Sequence, residues 1–256
     1  MECVKVRRVR WLAVLGAILA LAGGAFAAPV ELNVSAAASL TDAFTELAAE
    51  YQKSNPDVNV VMNFGASRTL LQQIEQGAPV DVFAAADQAT MDEGDSKKLI
   101  DAKSRKNFAE NGIALAEPAG KNAIKGLDDL KKDSVAHVAI GNPDYVPAGR
   151  YAREILQAGG VWDELEKKEK LILGENVRQV LDYIVRGEVD AGFVFSTDAR
   201  SAGDQLVVVA ELQPTTPVSY PITVTAGSAQ KTESARFIEY VLSDAGKALL
   251  KKYGFR

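Results

Sequence analysis

The sequence predicts an α/β fold whose sheets are mainly parallel and covered by helices on both faces. Short apolar segments rich in Val and Ile recur from residue 30 onward, and most are bounded by Gly, Pro, Asn or Asp. Helical patterns with one apolar face separate most of these segments. Strands that are apolar throughout and alternate with amphipathic helices are typical of parallel sheets buried between two helix layers.

Nine segments are predicted to be strands: VELNVSAA, DVNVVMNFG, PVDVFAAA, GIALAEP, VAHVAIGNP, LILG, DAGFVFS, QLVVVAEL and YPITVTAG. In LTDAFTELAAEY, Phe44, Leu47, Ala48 and Tyr51 fall at positions i, i+3, i+4 and i+7, which predicts a helix. The segment NVRQVLDYIVRG repeats that spacing. The C-terminal ESARFIEYVLSDAGKALLKKYGF is predicted to form two helices.

The β-α rhythm is interrupted twice, near residues 109–115 and near 218–224. If the chain forms two lobes, these are the expected crossing points, since no low-complexity linker is visible. Lobe 1 would then comprise residues 28–110 and 223–256, and lobe 2 residues 111–222. The C-terminal helices would return to pack on lobe 1.

Residues 1–27 have the pattern of a secretory signal peptide. Four basic residues precede the apolar run WLAVLGAILALAGGAF, and Ala25-Phe26-Ala27 follows as a small-residue cleavage site. A membrane anchor is disfavoured, because the run is short for a span of ~20 residues and ends in two glycines. We therefore expect a soluble protein exported to the periplasm and cleaved before Ala28. The Arg7-Arg8 pair leaves open whether export uses the Sec or the twin-arginine route.

The composition of the mature chain excludes several kinds of site. The single cysteine, Cys3, lies in the predicted signal peptide, so disulfides, zinc thiolates and cysteine nucleophiles are not expected. Removal of residues 1–27 takes four basic residues and one acidic residue from totals of 29 and 34, which leaves a net charge of −8. Such a surface argues against nucleic acid and anionic lipid as partners.

Four predicted helices begin with small or capping residues directly after a strand. These starts are SAAASLTDAF, NFGASRTLL, the VPAGR part of GNPDYVPAGRYARE, and GENVRQVL. In open α/β sheets, ligands bind beyond the carboxyl ends of the strands, where helix N-termini present unpaired N–H groups. Such N-termini bind anions. One bare start is ordinary capping, but two in each half of the chain indicate an anion held between two lobes.

These segments, together with GFVFSTDA and the terminal KKYGF, resemble the periplasmic molybdate-binding proteins of ABC transporters, within the type II periplasmic binding proteins. The matching blocks run in order through the whole mature chain. The resemblance implies two α/β lobes that close on a tetrahedral oxyanion, molybdate or tungstate, which is then delivered to a membrane-embedded ABC permease. It also implies ligand contacts from Ser39 and Ser67 in lobe 1, and from the backbone of Ala148 and Val177 in lobe 2. No cofactor, no direct protein–metal ligand and a monomer are expected.

One position departs from the family pattern. Where its members commonly have a tyrosine whose hydroxyl donates to the anion, this chain has Phe195. Loss of one neutral hydrogen bond is worth about 1 kcal/mol, so the function should survive. Phe195 is predicted either to contact the ligand or to pack in the core.

The donor chemistry supports an unprotonated anion. Molybdate, tungstate and sulfate only accept hydrogen bonds at neutral pH, whereas phosphate keeps a proton and favours a site with an acceptor. Asp42 and Asp144 lie near the bare helix starts, and they are interpreted as first-turn and turn residues.

Three further kinds of protein are compatible with parts of the pattern. A binding protein of the same fold for sulfate or a small organic acid is one, and Arg68, Arg150 and Arg178 stand beside the proposed contacts as carboxylate partners. An exported hydrolase is disfavoured, because no nucleophile or metal motif occurs and the single histidine, His137, is predicted to pack within a strand. The sensing half of a transcription regulator conflicts with the signal peptide. We therefore predict that the protein is not an enzyme.

Overall fold

A computed structural model describes residues 29–256. The predicted signal peptide, residues 1–27, lies outside the described residues. Within residues 29–256, no helix is both long enough and apolar enough to cross a membrane.

Ten strands form two five-stranded sheets, and the order of strands in each sheet is β2-β1-β3-β10-β4 and β7-β6-β8-β5-β9. The strands are β1 Val30–Ala37, β2 Val58–Gly65, β3 Val82–Ala84, β4 Lys106–Glu110, β5 Ile113–Pro118, β6 Val138–Gly141, β7 Leu171–Gly174, β8 Ala191–Phe195, β9 Leu206–Leu212 and β10 Ser219–Val224. The α/β class and the two-lobed architecture are therefore confirmed.

Nine α-helices in the described part of the chain cover the sheets. They are α1 Thr41–Ser54, α2 Ser67–Glu75, α3 Gln88–Ser96, α4 Pro147–Ala158, α5 Trp162–Lys167, α6 Val177–Val185, α7 Ser196–Ala202, α8 Lys231–Leu242 and α9 Asp244–Lys252. Helices α1, α2, α3, α8 and α9 pack with the first sheet to form lobe 1, and α4 to α7 pack with the second to form lobe 2. The two C-terminal helices meet at Ser243, whose hydroxyl accepts from the N–H of Gly246 and caps α9.

Each sheet is mixed, with two parallel and two antiparallel pairings, where the sequence pattern predicts mainly parallel strands. In lobe 1, β1 lies parallel to β2 and β3, while β10 is antiparallel to β3 and β4. In lobe 2, β6 lies parallel to β7 and β8, while β5 is antiparallel to β8 and β9. Every antiparallel pair includes β5 or β10, the strands that directly follow the two crossings. These two strands enter their sheets from the opposite lobe and not through a crossover helix.

The two crossings run side by side. Lobe 1 passes to lobe 2 between Glu110 and Ile113, and the chain returns between Leu212 and Ser219. The N–H of Asn111 donates to the carbonyl of Val218 over 3.0 Å, which ties the two crossing segments together. The predicted boundary between 222 and 223 falls inside β10, all of which belongs to the first sheet. Pro221 interrupts the strand pattern in the sequence, and it is accommodated where the pairing of β10 with β4 is irregular.

Candidate functional site

The four bare helix starts converge on one small cavity between the lobes. Its volume is about 10 Å³. The lining residues come from both lobes: Ala37, Ala38, Ser39, Gly65, Ala66, Ser67, Ala86, Val146, Pro147, Asn176, Val177 and Phe195. Four of the five predicted contact residues are among them. The fifth, Ala148, is fully buried beside Pro147 in the first turn of α4.

Ser39 lies in a single 3-10 turn, Ala38–Leu40, that joins the end of β1 to α1. Its side chain is 3% exposed, and its hydroxyl lies 3.0 Å from the hydroxyl of Tyr220. The residues before it, Ala37 and Ala38, also line the cavity. Methyl side chains at these two positions leave the backbone of this turn accessible from the cavity, which explains why the chain loses its larger side chains there.

Ser67 is the first residue of α2 and is fully buried. Its hydroxyl oxygen accepts a hydrogen bond from the backbone N–H of Ala86 over 3.0 Å. A serine hydroxyl has one proton to donate, and here the protein occupies one of its acceptor positions. Ser67 is therefore set up to donate its proton, and its side chain also satisfies a buried backbone group.

Lobe 2 presents the starts of α4 and α6. Pro147 is the first residue of α4, where its missing N–H costs no helical hydrogen bond. Asn176 caps α6, and its side-chain oxygen accepts from the N–H groups of Arg178 and Gln179. The cap does not use the N–H of Val177, the residue predicted to contact the ligand.

Phe195 ends β8 and is 1% exposed. Its ring packs against Tyr151 and Tyr220, with centroid distances of 6.4 and 5.6 Å. The same residue lines the cavity. Phe195 is therefore packed in the core and also borders the cavity, and its contact with a ligand stays a prediction.

Comparison with known proteins places this arrangement in a family. The family model described as bacterial extracellular solute-binding protein matches residues 32–256. The chain belongs to this solute-binding family.

The relatives bear out the resemblance seen in the sequence. The molybdate-binding protein ModA of Haemophilus influenzae is 36% identical over 244 residues, which cover 93% of this chain and 94% of the relative. The protein of the same name from Escherichia coli is 36% identical over 242 residues, covering 92% and 93%. In fold, the periplasmic molybdate-binding protein of Azotobacter vinelandii matches with a TM-score of 0.79 over 88% of this chain and 98% of that one, at 24% identity.

The three arginines beside the proposed contacts do not line the cavity of this solute-binding protein. Arg150 on α4 bonds Asp87 and, over 2.9 Å, the hydroxyl of Thr90, both in lobe 1. Arg68 on α2 donates to the backbone carbonyl of Asp144 in lobe 2 over 3.0 Å. Through these contacts, the two side chains link the two lobes.

Arg178 forms the third interlobe contact. One guanidinium nitrogen donates to Asp42 on α1 over 2.9 Å. The Nε atom lies 2.8 Å from the carboxylate of Asp198, in the same lobe, in an ion pair whose N–H is not well aligned. Asp42 therefore binds across the cleft and lies outside the cavity lining.

Burial dominates the electrostatics around the cavity. It raises the pKa of Asp198 to about 6, against the opposing effect of the Arg178 charge. Burial also holds the pKa of Tyr220 well above its usual value, so this hydroxyl keeps its proton throughout the neutral range.

The structure corrects the interpretation of His137, which was predicted to pack within a strand. Strand β6 begins one residue later, at Val138, and the side chain of His137 is exposed. Within residues 29–256, no group of three or more His, Cys, Asp or Glu side chains is placed to hold a metal ion.

Two residues near the site had no signature in the sequence. Tyr220 and Asn111 lie at the two crossings, and their side chains meet beside Ser39. Tyr220 stands in an ordinary strand pattern, and Asn111 in a turn-like Glu-Asn-Gly segment. Neither segment carries a motif, because the cluster exists only once the two crossings are side by side.

Proposed function

We propose that this protein captures molybdate or tungstate outside the inner membrane and delivers the anion to an ABC permease. The observation that carries the proposal is the interlobe cavity, which is lined by hydroxyls and helix starts and by no charged side chain among the described residues. Fixed N–H and O–H groups bind a divalent anion with little reorganisation. The relatives named molybdate-binding proteins support the choice of anion.

The lining also argues against a protonated anion. Hydrogen phosphate needs an acceptor for its proton, whereas molybdate and tungstate need only donors. Among the described residues that line the cavity, Asn176 has the only side-chain carbonyl, and that oxygen already accepts two backbone N–H groups. Sulfate has the same charge and acceptor pattern as molybdate, so size must separate these two anions.

An organic acid ligand and a hydrolase reaction both find less support. An organic acid would use an arginine, and the three candidates are engaged between the lobes. A hydrolase needs a base beside its nucleophile. Ser39 and Ser67 have a tyrosine hydroxyl and a backbone N–H as their partners. We therefore propose a binding protein without catalytic activity or a cofactor, acting as a periplasmic monomer after cleavage before Ala28.

The anion choice can be tested by thermal unfolding of the mature protein with a panel of ligands. Molybdate and tungstate are expected to stabilise the protein, because they fit a site of donors, while phosphate at equal concentration is expected to have no effect. With ligand at ~100 times its dissociation constant, the gain in unfolding free energy should be about 2.7 kcal/mol. The panel includes sulfate and several carboxylic acids. Stabilisation by an organic acid without stabilisation by molybdate would refute the proposal.

Replacement of Phe195 with Tyr is expected to raise molybdate affinity several-fold, up to about tenfold. The ring already lines the cavity, and the new hydroxyl would add a donor to a charged acceptor. Dissociation is expected to slow more than association changes, since the contact forms only when the lobes have closed. Calorimetric titration and stopped-flow displacement measure these two quantities.

Phe193→Tyr is the matched control for that variant. Phe193 lies two residues earlier on β8, is fully buried and does not line the cavity. Its added hydroxyl would be buried without a partner, so the control should lose about 1 to 3 kcal/mol of stability and gain no affinity. If Phe195→Tyr behaves in the same way, position 195 belongs to the core and not to the site.

A further inference from the structure

Tyr220 is a fully buried side chain that reaches the site from the return crossing without lining the cavity. Its hydroxyl lies 3.0 Å from the hydroxyl of Ser39 and 3.2 Å from Nδ2 of Asn111. Three polar groups from two crossings and one helix start are thus in one buried row. The order of donors and acceptors along this row decides what Ser39 can offer to a ligand.

The orientation of the Asn111 amide determines which atom donates at one end of this row. Its Oδ1 accepts the backbone N–H of Gly112 over 2.9 Å. A backbone N–H can only donate, so the atom it contacts must be the amide oxygen. The amide nitrogen therefore faces Tyr220, and it also donates to the hydroxyl of Thr197 over 2.9 Å.

The direction of the other hydrogen bonds in the row follows from the orientation of the Asn111 amide. Tyr220 accepts from the Asn111 amide, and its single proton is then directed to Ser39. The Ser39 oxygen accepts this hydrogen bond, so the serine's own proton is left to donate into the cavity that Ser39 lines. The high pKa of the Tyr220 hydroxyl is consistent with a permanent donor.

We propose that Tyr220, held by Asn111, is a positioning residue that makes Ser39 present its hydroxyl proton to the bound oxyanion. The inference rests on the proposed function and concerns how the same site selects its ligand. Ser67 also accepts one hydrogen bond from the protein, from a backbone N–H, so each of the two serines has its own proton free for the ligand. A site with two fixed donors favours an unprotonated dianion and leaves the proton of hydrogen phosphate without an acceptor.

A double-mutant cycle on molybdate binding tests this row. Tyr220→Phe removes one oxygen and is expected to weaken molybdate binding about fivefold, because the Ser39 proton is no longer held toward the cavity. In a Ser39→Ala background, the same change is expected to have no further effect on the dissociation constant. In the matched Ser67→Ala background, the full fivefold loss should remain, because Ser67 is oriented independently.

The outcomes separate this inference from the proposed function. A wild-type protein that does not bind molybdate at all refutes the proposed function. Wild-type binding that is unchanged by Tyr220→Phe, or a loss of equal size with and without Ser39, refutes only the role of Tyr220. The dissociation constant for phosphate itself adds a readout that a packing role would not move in this direction. Tyr220→Phe should bind phosphate more tightly than the wild type while it binds molybdate more weakly, because Ser39 is then free to accept the phosphate proton.

Asn111→Ala provides a second variant if Tyr220→Phe does not fold. This variant keeps Tyr220 but removes the amide that donates to its hydroxyl. The Tyr220 hydroxyl is then no longer held in the orientation that donates to Ser39. A smaller loss of affinity, about twofold, is expected, and this loss should also disappear in the Ser39→Ala background. A loss that persists without Ser39 would overturn the proposed order of protons.

Discussion

Replacement of Arg178 with Met is expected to lower the free energy of unfolding by about 3 kcal/mol at pH 8 and by much less at pH 5. Asp198 is fully buried, and the Arg178 Nε atom lies 2.8 Å from its carboxylate. Removal of the arginine leaves that carboxylate without its counter-charge. Breaking a buried pair from one side is costly because the remaining charge stays desolvated.

The pH dependence follows from the pKa of Asp198, which burial raises to about 6 in the presence of Arg178. A raised pKa means that the folded state holds the proton more tightly than the unfolded state. Stability linked to this group is therefore present at low pH and is lost as the pH rises toward 6. Without Arg178 the pKa rises further and the loss continues to higher pH. The difference in the free energy of unfolding between the variant and the wild type should then increase as the pH rises above 6.

Denaturant unfolding at pH 5 and pH 8 measures this gap, with Arg186→Met as the control. Arg186 follows α6 directly, its side chain is 65% exposed, and its nearest carboxylate oxygens lie at 3.9 and 4.0 Å. An exposed pair of this kind contributes little, so the control should change by less than about 0.5 kcal/mol at either pH. A loss for Arg178→Met that is equal at both pH values would contradict the role given to Asp198.

Replacement of Gly149 with Ala is expected to destabilise the protein by about 3 kcal/mol or more, and to weaken anion binding as well. A Cβ at this position would lie 1.8 Å from the backbone carbonyl oxygen of Gly141, at the end of β6. A backbone atom cannot move aside as a flexible side chain would, so α4 must shift away from the sheet. The start of α4 lines the cavity through Pro147, and this shift would move it.

Gly126→Ala is the matched control within lobe 2. An added Cβ there meets nothing within 4 Å, and the backbone is extended, with φ of 175°. Its effect on stability should stay within about 1 kcal/mol. Thermal unfolding and molybdate titration of both variants compare the two glycines. Should Gly149→Ala melt and bind like the control, close approach of α4 to β6 is not needed for the site.

Much of the fold could be predicted because most strands are buried on both faces and carry a continuous apolar pattern. Strand β4 was missed, since only Phe108 and Ala109 of its five residues are buried. The antiparallel pairings could not be predicted either. They depend on where the chain crosses between lobes, and no local pattern in the sequence records the direction of a strand after such a crossing.

The sequence predicts which helix starts lie near the cavity, but it does not predict which groups form hydrogen bonds with their side chains. Small residues at Ser39, Ser67 and Ala148 mark helix starts that lie at the cavity or directly beside it, and that pattern is local. The partner of Ser39 lies 181 residues away along the chain. Likewise, the donor to Ser67 is a backbone N–H, which any residue at position 86 other than proline would supply. Such pairings arise from the topology and leave no trace in a sequence motif.

The return of the chain into the first sheet also sets an order for folding. All five strands of lobe 2 lie between residues 113 and 212, so this lobe can complete its sheet from one continuous stretch. Lobe 1 cannot, because β10 separates β3 from β4, and its partner residues on β3 precede it by more than 130 positions. The first part of the chain to emerge is therefore the last to gain a closed core. During synthesis, the edge of β3 stays unpaired until the final forty or so residues arrive.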